Sequence, residues 1–264
     1  MRFWSQVFSS RERIPNFHKA LEEHLNAAAD PGGHVEVHGT QKGGLGEQHR
    51  FFQSYDTRDI IDSILKCKAA TGEQRYDAFI IVNSIDPGLV EAREVLQIPV
   101  LGFLETTTLV ACMMGRSFGL IIPNPKFGLS YVHKMKLYGL TERLASVETM
   151  NFQHLPDLNQ AFTEREPQER VKAEFELAAR RAIQAGAEVI IPCGPQALIL
   201  GRMGVKEVDG ALVLDGLSVL IKMAEVAVKI KALTGSFISR KLLYQMPSEL
   251  IREKAKKDYG IDLS

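Results

Sequence analysis

Short apolar runs alternate with longer amphipathic stretches along the whole 264-residue chain. Residues 3–8, 34–38, 78–82, 100–103, 118–122, 144–147, 188–191 and 211–214 read as strands. Several of these runs are continuously apolar, as in Phe79-Ile80-Ile81-Val82 and Val189-Ile190-Ile191, the pattern of strands covered on both faces. Between them, residues 15–29, 57–70, 168–184 and 217–233 carry apolar side chains at helical spacing. Strand and helix patterns in alternation predict an α/β protein with mostly parallel sheets.

The alternation also repeats itself. Asp77-Ala78-Phe79-Ile80-Ile81-Val82-Asn83 lines up with Ala187-Glu188-Val189-Ile190-Ile191-Pro192-Cys193. Each follows an alanine-bearing helical segment, and each precedes a further strand ending on an acid, Glu105 in one case and Asp215 in the other. The expectation is two pseudo-symmetric Rossmann-like halves facing each other across a cleft. The first spans residues 1–111 and is completed by C-terminal helices over 217–264; the second spans 112–216. Ligands of such folds bind beyond the carboxyl ends of the strands, so Asn83 and Cys193 would approach one substrate from opposite sides. Pro247 before Ser248-Glu249-Leu250 marks the first turn of a last helix. Residues 239–264 read as an added arm that packs on its own subunit or on a partner copy in a homo-oligomer.

Charge narrows the class. Thirty-two Lys and Arg balance 32 Asp and Glu, which points away from nucleic acid and anionic membranes as partners. Lys254-Ala255-Lys256-Lys257 reads as a solvated helix face. Met1-Arg2-Phe3-Trp4 reads as a strand rather than a leader, and no apolar run is long enough to span a bilayer. Cys67, Cys112 and Cys193 are odd in number and lack metal-ligand spacing, so neither a disulfide framework nor a metal is expected, and a reducing cytoplasm fits. His34 and His38 share a strand face without a third ligand.

Candidate chemistry gathers at the strand ends. Cys193 stands where Gly194 and Pro195 turn the chain from strand into helix; the helix dipole there favours a thiolate with a pKa near the working pH. Cys67 and Cys112 sit inside amphipathic segments as packing residues. Asn83 carries no useful acid or base but donates hydrogen bonds to an oxyanion or carboxylate. Ser84 and the backbone at Cys193 and Gly194 are further oxyanion donors. Asp86 before Pro87 is expected to cap the next helix. Glu105 is either a second base facing the cleft or an acid well placed in a first helical turn. Thr106 and the threonines after it cap a helix or bind a carboxylate. Asn124 follows another strand end, and Lys126 beside it is an anchor for an anion or simply solvated. Gln6, polar within an apolar run, needs a pocket or a local hydrogen-bond partner. Phe51, Phe52 and Tyr55, in the glycine-bearing region 43–55, form an apolar lid or cover the core.

Asp86-Pro87-Gly88-Leu89 with Ala92-Arg93-Glu94 resembles the signature of the hydantoin racemases. So do Pro99-Val100-Leu101-Gly102 with Glu105, Tyr138-Gly139-Leu140 with Arg143-Leu144-Ala145-Ser146-Val147, and Val213-Leu214-Asp215-Gly216. Trp4-Ser5-Gln6 is similar to a branch of the same aspartate/glutamate/hydantoin racemase superfamily, and the resemblance runs to about Lys241. It implies two α/β domains with pseudo-twofold symmetry, no cofactor, and proton transfer at an acidic carbon beside a carboxylate or carbonyl. The family's racemases use two cysteines, one per half; by position Cys193 matches the second, and the first falls on Asn83. The two-thiol reaction is therefore not available as written. The implied activity is a cofactor-independent racemase or isomerase with Cys193 as acid/base and a small carboxylate, amino acid or cyclic imide as substrate, held by Asn83, Ser84, Gly194, Pro195, Gln6, Glu105, Thr106 and Asn124. A one-cysteine decarboxylase similar to arylmalonate decarboxylase, a hydrolase with Cys193 as nucleophile, and a non-catalytic binding protein are the alternatives.

Overall fold

A computed structural model describes residues 1–43, 49–150 and 159–263. Its first sheet contains β1 (Arg2–Gln6), β2 (His34–His38), β3 (Ala78–Ile81) and β4 (Val100–Gly102), all parallel, in the order β2-β1-β3-β4. The second contains β5 (Phe118–Ile122), β6 (Leu144–Thr149), β7 (Val189–Pro192), β8 (Glu207–Val208) and β9 (Ala211–Val213), in the order β6-β5-β7-β9-β8. Among the described residues, only the short β8–β9 pairing is antiparallel. Without β8, both sheets have one plan: the first strand lies between the second and third, and the fourth lies beyond the third. The duplication read from the sequence is thus a duplication of topology, with β3 and β7 as equivalents.

The helices are α1 (Pro15–Ala28), α2 (Arg50–Ala69), α3 (Leu89–Val95), α4 (Phe103–Met114), α5 (Gly128–Leu137), α6 (Arg165–Gln184), α7 (Pro195–Arg202), α8 (Gly216–Thr234) and α9 (Glu249–Tyr259). Local signals account for several ends. Pro15 sits in the first turn of α1, where its missing N–H costs nothing. Asp215 caps α8 by accepting from Leu217 and Ser218 N–H, and Gly235 ends it at a φ of 83°. Arg143 donates to the carbonyls of Cys112 and Gly115, satisfying the last turn of α4.

Helix α2 starts at Arg50, seven residues before the expected 57. Phe51, Phe52 and Tyr55 therefore lie on a helix rather than in a loop; residues 44–48 of that region lie outside the described residues.

Side chains of β3 alternate between two cores. Ile80 joins Phe3, Leu21, Leu101 and Leu217 on one face, a cluster continuous with Phe118, Phe175 and Ile190 of the second sheet. Phe79 and Ile81 join Trp4, Ile60, Ile64 and Leu89 on the other. Each such buried side chain contributes about 1.5–3 kcal/mol. Helix α8 closes the fold, packing on α1, α4 and the β3–β4 side of the first sheet. Beyond it, Arg240 donates to the carbonyls of Arg93, Glu94, Leu96 and Tyr244, tying the chain to the end of α3. Helix α9 buries none of its residues. Among the described residues, no helix is long and apolar enough to cross a membrane.

Candidate active site

The equivalent strands aim their carboxyl ends at one cavity of about 120 Å³. Ser9 reaches it from beyond β1, Asn83 and Ser84 from beyond β3, Pro123 and Phe127 from beyond β5, and Gly194 and Pro195 from beyond β7. Phe17 and Leu21 of α1, Tyr131 of α5 and Leu217 of α8 complete the wall. Most of the lining is apolar, and among the described lining residues none is Asp, Glu, Lys, Arg or His. Its polar side chains are the neutral groups Ser9, Asn83, Ser84 and Tyr131.

Asn83 is oriented by its own turn. Its Oδ1 accepts the Ile85 N–H at 3.0 Å and its carbonyl accepts the Asp86 N–H at 3.0 Å. That leaves its amide NH2 to serve as a donor. Ser84 Oγ lies 2.6 Å from Tyr131 Oη, a contact that joins the two halves. Ser9 Oγ lies 3.2 Å from Nε2 of His18, a fully buried ring whose Nδ1 has no hydrogen-bond partner. Burial, and then the Arg11 charge, lower the His18 pKa to about 4, so the imidazole is neutral at neutral pH.

Cys193 differs from its expectation. The residue is fully buried, its sulfur donates to the Ile191 carbonyl at 3.6 Å, and it lies behind Gly194 rather than on the cavity wall. Burial first, and the Asp86 charge second, push its thiol well above the ordinary range. The resting group is a thiol, not the thiolate expected from a helix terminus. Helix α7 begins two residues later on Pro195, which has no N–H to offer, and desolvation outweighs the dipole. The backbone around it is held firmly. Cys193 N–H donates to the Ile121 carbonyl at 2.8 Å, and Gln196 Nε2 donates to the carbonyls of Cys193 at 2.5 Å and Ile121 at 3.1 Å. Gly194 turns at a φ of 111°, a conformation that excludes most side chains.

Asp86 caps a different helix from the one expected. Its Oδ1 accepts from Leu104 N–H at 2.9 Å, and its Oδ2 accepts from Glu105 N–H at 2.8 Å and Tyr138 Oη–H at 2.7 Å. The carboxyl therefore closes the start of α4, while Gly88 precedes α3 without a side-chain cap. Gly102 makes room for it: a Cβ there would stand 2.5 Å from Asp86 Cγ. Burial raises this carboxyl to about 6, against the hydrogen bonds that favour its charge.

Four other expected site residues stand elsewhere. Gln6 is spent locally, accepting from Trp4 Nε1 at 3.0 Å and donating to the Val7 carbonyl at 2.9 Å. Glu105 is held in a partly buried ion pair with Arg93, whose other contacts include Tyr244 Oη at 3.3 Å. Thr106 is buried in α4 off the cavity wall, and the Thr107 and Thr108 hydroxyls donate back to carbonyls of the same helix. Asn124 caps a short 3-10 turn by accepting from Lys126 N–H at 2.9 Å, while its neighbours Pro123 and Phe127 reach the cavity. Phe51, Phe52 and Tyr55 are exposed on α2 and do not line the cavity. His34 and His38 both flank Glu36, at 3.7 and 3.6 Å. Among the described residues, no three His, Cys, Asp or Glu converge as metal ligands.

The site residues missing from the sequence reading are Ser9, His18 and Tyr131. His18 carried a signal, because it shares the apolar face of α1 with Leu21 and Leu25. Tyr131 carried none, since only the meeting of the two halves brings it to Ser84.

Residues 16–224 match the family model for Asp/Glu/hydantoin racemases. The chain is 25% identical over 213 residues to a hydantoin racemase of Pseudomonas sp. (strain NS671), covering 78% of each. Its fold superposes on allantoin racemase from Pseudomonas fluorescens with a TM-score of 0.76 at 21% identity, covering 94% of this chain and 97% of that one. Allantoin racemase from Klebsiella pneumoniae gives 0.74 at 20% identity, covering 94% of each. With a two-sheet duplication built around one cavity and a family match over most of its length, the chain belongs to the Asp/Glu/hydantoin racemase family.

Proposed function

We propose that the protein racemises a small neutral cyclic imide of the hydantoin type bearing an apolar substituent, with Cys193 as a proton-transfer group at the acidic ring carbon. The observation that carries this reading is the cavity wall: apolar, with neutral donors and acceptors, and without a charged side chain among the described lining residues. An amino acid or malonate would bring a carboxylate whose desolvation there costs several kcal/mol unless paired. A cyclic imide needs only neutral hydrogen bonds, which Ser9, Asn83, Ser84 and Tyr131 can make. The relatives named for hydantoin support the same substrate class. In this reading the Asn83 NH2 donates to the enolate oxygen that forms when the ring carbon loses its proton, and Cys193 leaves the Ile191 carbonyl to deliver its proton to one face.

A second reading has an observation of its own. A protonated Cys193 beside a cavity whose other half offers Asn83, a donor but not a base, suits one-sided protonation after loss of carbon dioxide, as a decarboxylase requires.

One assay separates the two. Enantiomers of alkyl- and benzyl-substituted hydantoins, free amino acids and an aryl-substituted malonate are incubated in deuterium oxide, with Cys193→Ser beside the wild type. Deuterium entering both hydantoin enantiomers supports racemisation; carbon dioxide released from the malonate with one labelled product supports decarboxylation. Full activity in Cys193→Ser would remove Cys193 from the chemistry.

A further inference from the structure

Racemisation needs a proton-transfer group on each face, and the amide of Asn83 is neither a base nor an acid at working pH. Two hydroxyls of the first half line the cavity. Ser84 shares its hydrogen with another hydroxyl, that of Tyr131. Ser9 is placed differently, with Oγ 3.2 Å from Nε2 of His18. The imidazole has no exposed surface, and its pocket is cut to its shape: a Cβ on Gly39 would stand 2.8 Å from His18 Cε1 and 2.6 Å from the Ser9 carbonyl. Its Nδ1 lacks a hydrogen-bond partner, which costs stability in a buried group. A leucine or phenylalanine would fill an apolar helix face without that cost, so packing alone does not account for a histidine here.

We propose that Ser9 is the first-half catalytic residue and that His18 is the positioning residue behind it, together replacing the arm that Asn83 cannot supply. The inference rests on the racemase reading. In one direction the C–H bond of the ring carbon breaks and its proton forms a new O–H bond on Ser9, while the original Ser9 O–H breaks and its proton forms an N–H bond on His18 Nε2. The C–H electron pair moves into the neighbouring carbonyl as an enolate. The Cys193 S–H then breaks, and a C–H bond forms on the opposite face. The protein ends as imidazolium and thiolate, the pair that runs the opposite enantiomer backwards through the same steps. Neither an oxidant nor a co-reactant is needed. Both buried groups are neutral in the resting protein, thiol and imidazole, which is the state from which this direction starts.

The test is deuterium wash-in at the ring carbon of each separate enantiomer of a benzyl-substituted hydantoin, followed by proton NMR on the full-length protein. Wild type exchanges both. Cys193→Ser loses one enantiomer. Ser9→Ala and His18→Gln lose the other by about 100-fold or more, the scale of one general acid/base, and keep the first. A purely structural role would lower both together. Retention of both enantiomers in Ser9→Ala, or equal loss of both in a variant that melts at the wild-type temperature, overturns the proposal. If His18→Gln does not fold, Ser9→Ala decides alone, because it removes only one oxygen. If wild type exchanges neither enantiomer, the racemase reading falls and the proposal with it, an outcome visible before any variant is compared.

Discussion

Ser84 Oγ and Tyr131 Oη meet at 2.6 Å, with Ser84 just past β3 of the first sheet and Tyr131 on α5 beside the second. Both residues line the cavity, so this bond joins its two sides. Tyr131→Phe keeps the buried ring and removes only the hydroxyl. The expected cost is about 1 kcal/mol of stability and a roughly fivefold loss of turnover at constant fold. Thermal melting and the exchange assay check both, and unchanged turnover would place this hydrogen bond outside the reaction.

Cysteine chemistry follows burial. Cys193 is fully buried and Cys67 nearly so, with its thiol pushed up to about 12 by desolvation alone. Cys112 is only half-buried and has the Arg143 charge opposing the desolvation. In the native protein, iodoacetamide is expected to label Cys112 first and to reach Cys67 and Cys193 only on unfolding. Peptide mapping by mass spectrometry reads the order. Early labelling of Cys193 would mean that its sulfur leaves the Ile191 carbonyl readily without substrate.

Gly102 and Asp86 are mutually required. The Asp86 carboxyl occupies the volume that a Gly102 side chain would take, and from there it closes the start of α4. Gly102→Ala is expected to cost about 1–3 kcal/mol through overpacking, with a matching fall in the urea midpoint. An unchanged midpoint would show that Asp86 can move without loss.

The sequence revealed what depends on local repetition. The apolar runs located the strands, and the match of residues 77–83 to 187–193 anticipated that both sheets share one order. What it could not show depends on tertiary partners. Glu105 reads equally as a cleft base and as an acid of a first helical turn, and only Arg93, twelve residues earlier, decides between them by holding it. The thiol of Cys193 reads as activated until its desolvation is counted. The role of Asp86 passed from the helix that follows it to α4 because Gly102, distant in sequence, leaves it room. Gln6, read either as a pocket residue or as locally bonded, takes the local option: Trp4 lies two residues earlier on the same strand face, within reach of its amide.

Two buried groups give the stability–pH profile opposite slopes. Asp86 has its carboxyl raised from 3.8 to about 6, so the folded state holds that proton more tightly than the unfolded state. Its contribution is fully present below the unfolded value and is lost as pH rises through about 6, roughly 3 kcal/mol for two pKa units. His18 is lowered from 6.5 to about 4, so the unfolded state holds the proton more tightly. Its contribution is present above the unfolded value and is lost as pH falls towards about 4, again roughly 3 kcal/mol. Between about 4 and 6 the two nearly cancel in the wild type. Asp86→Asn is therefore expected to leave a protein that gains stability as pH rises across this window, and His18→Gln one that loses it. Urea midpoints at half-unit pH steps measure all three slopes. Parallel profiles in the wild type and both variants would show that neither group changes its protonation on folding.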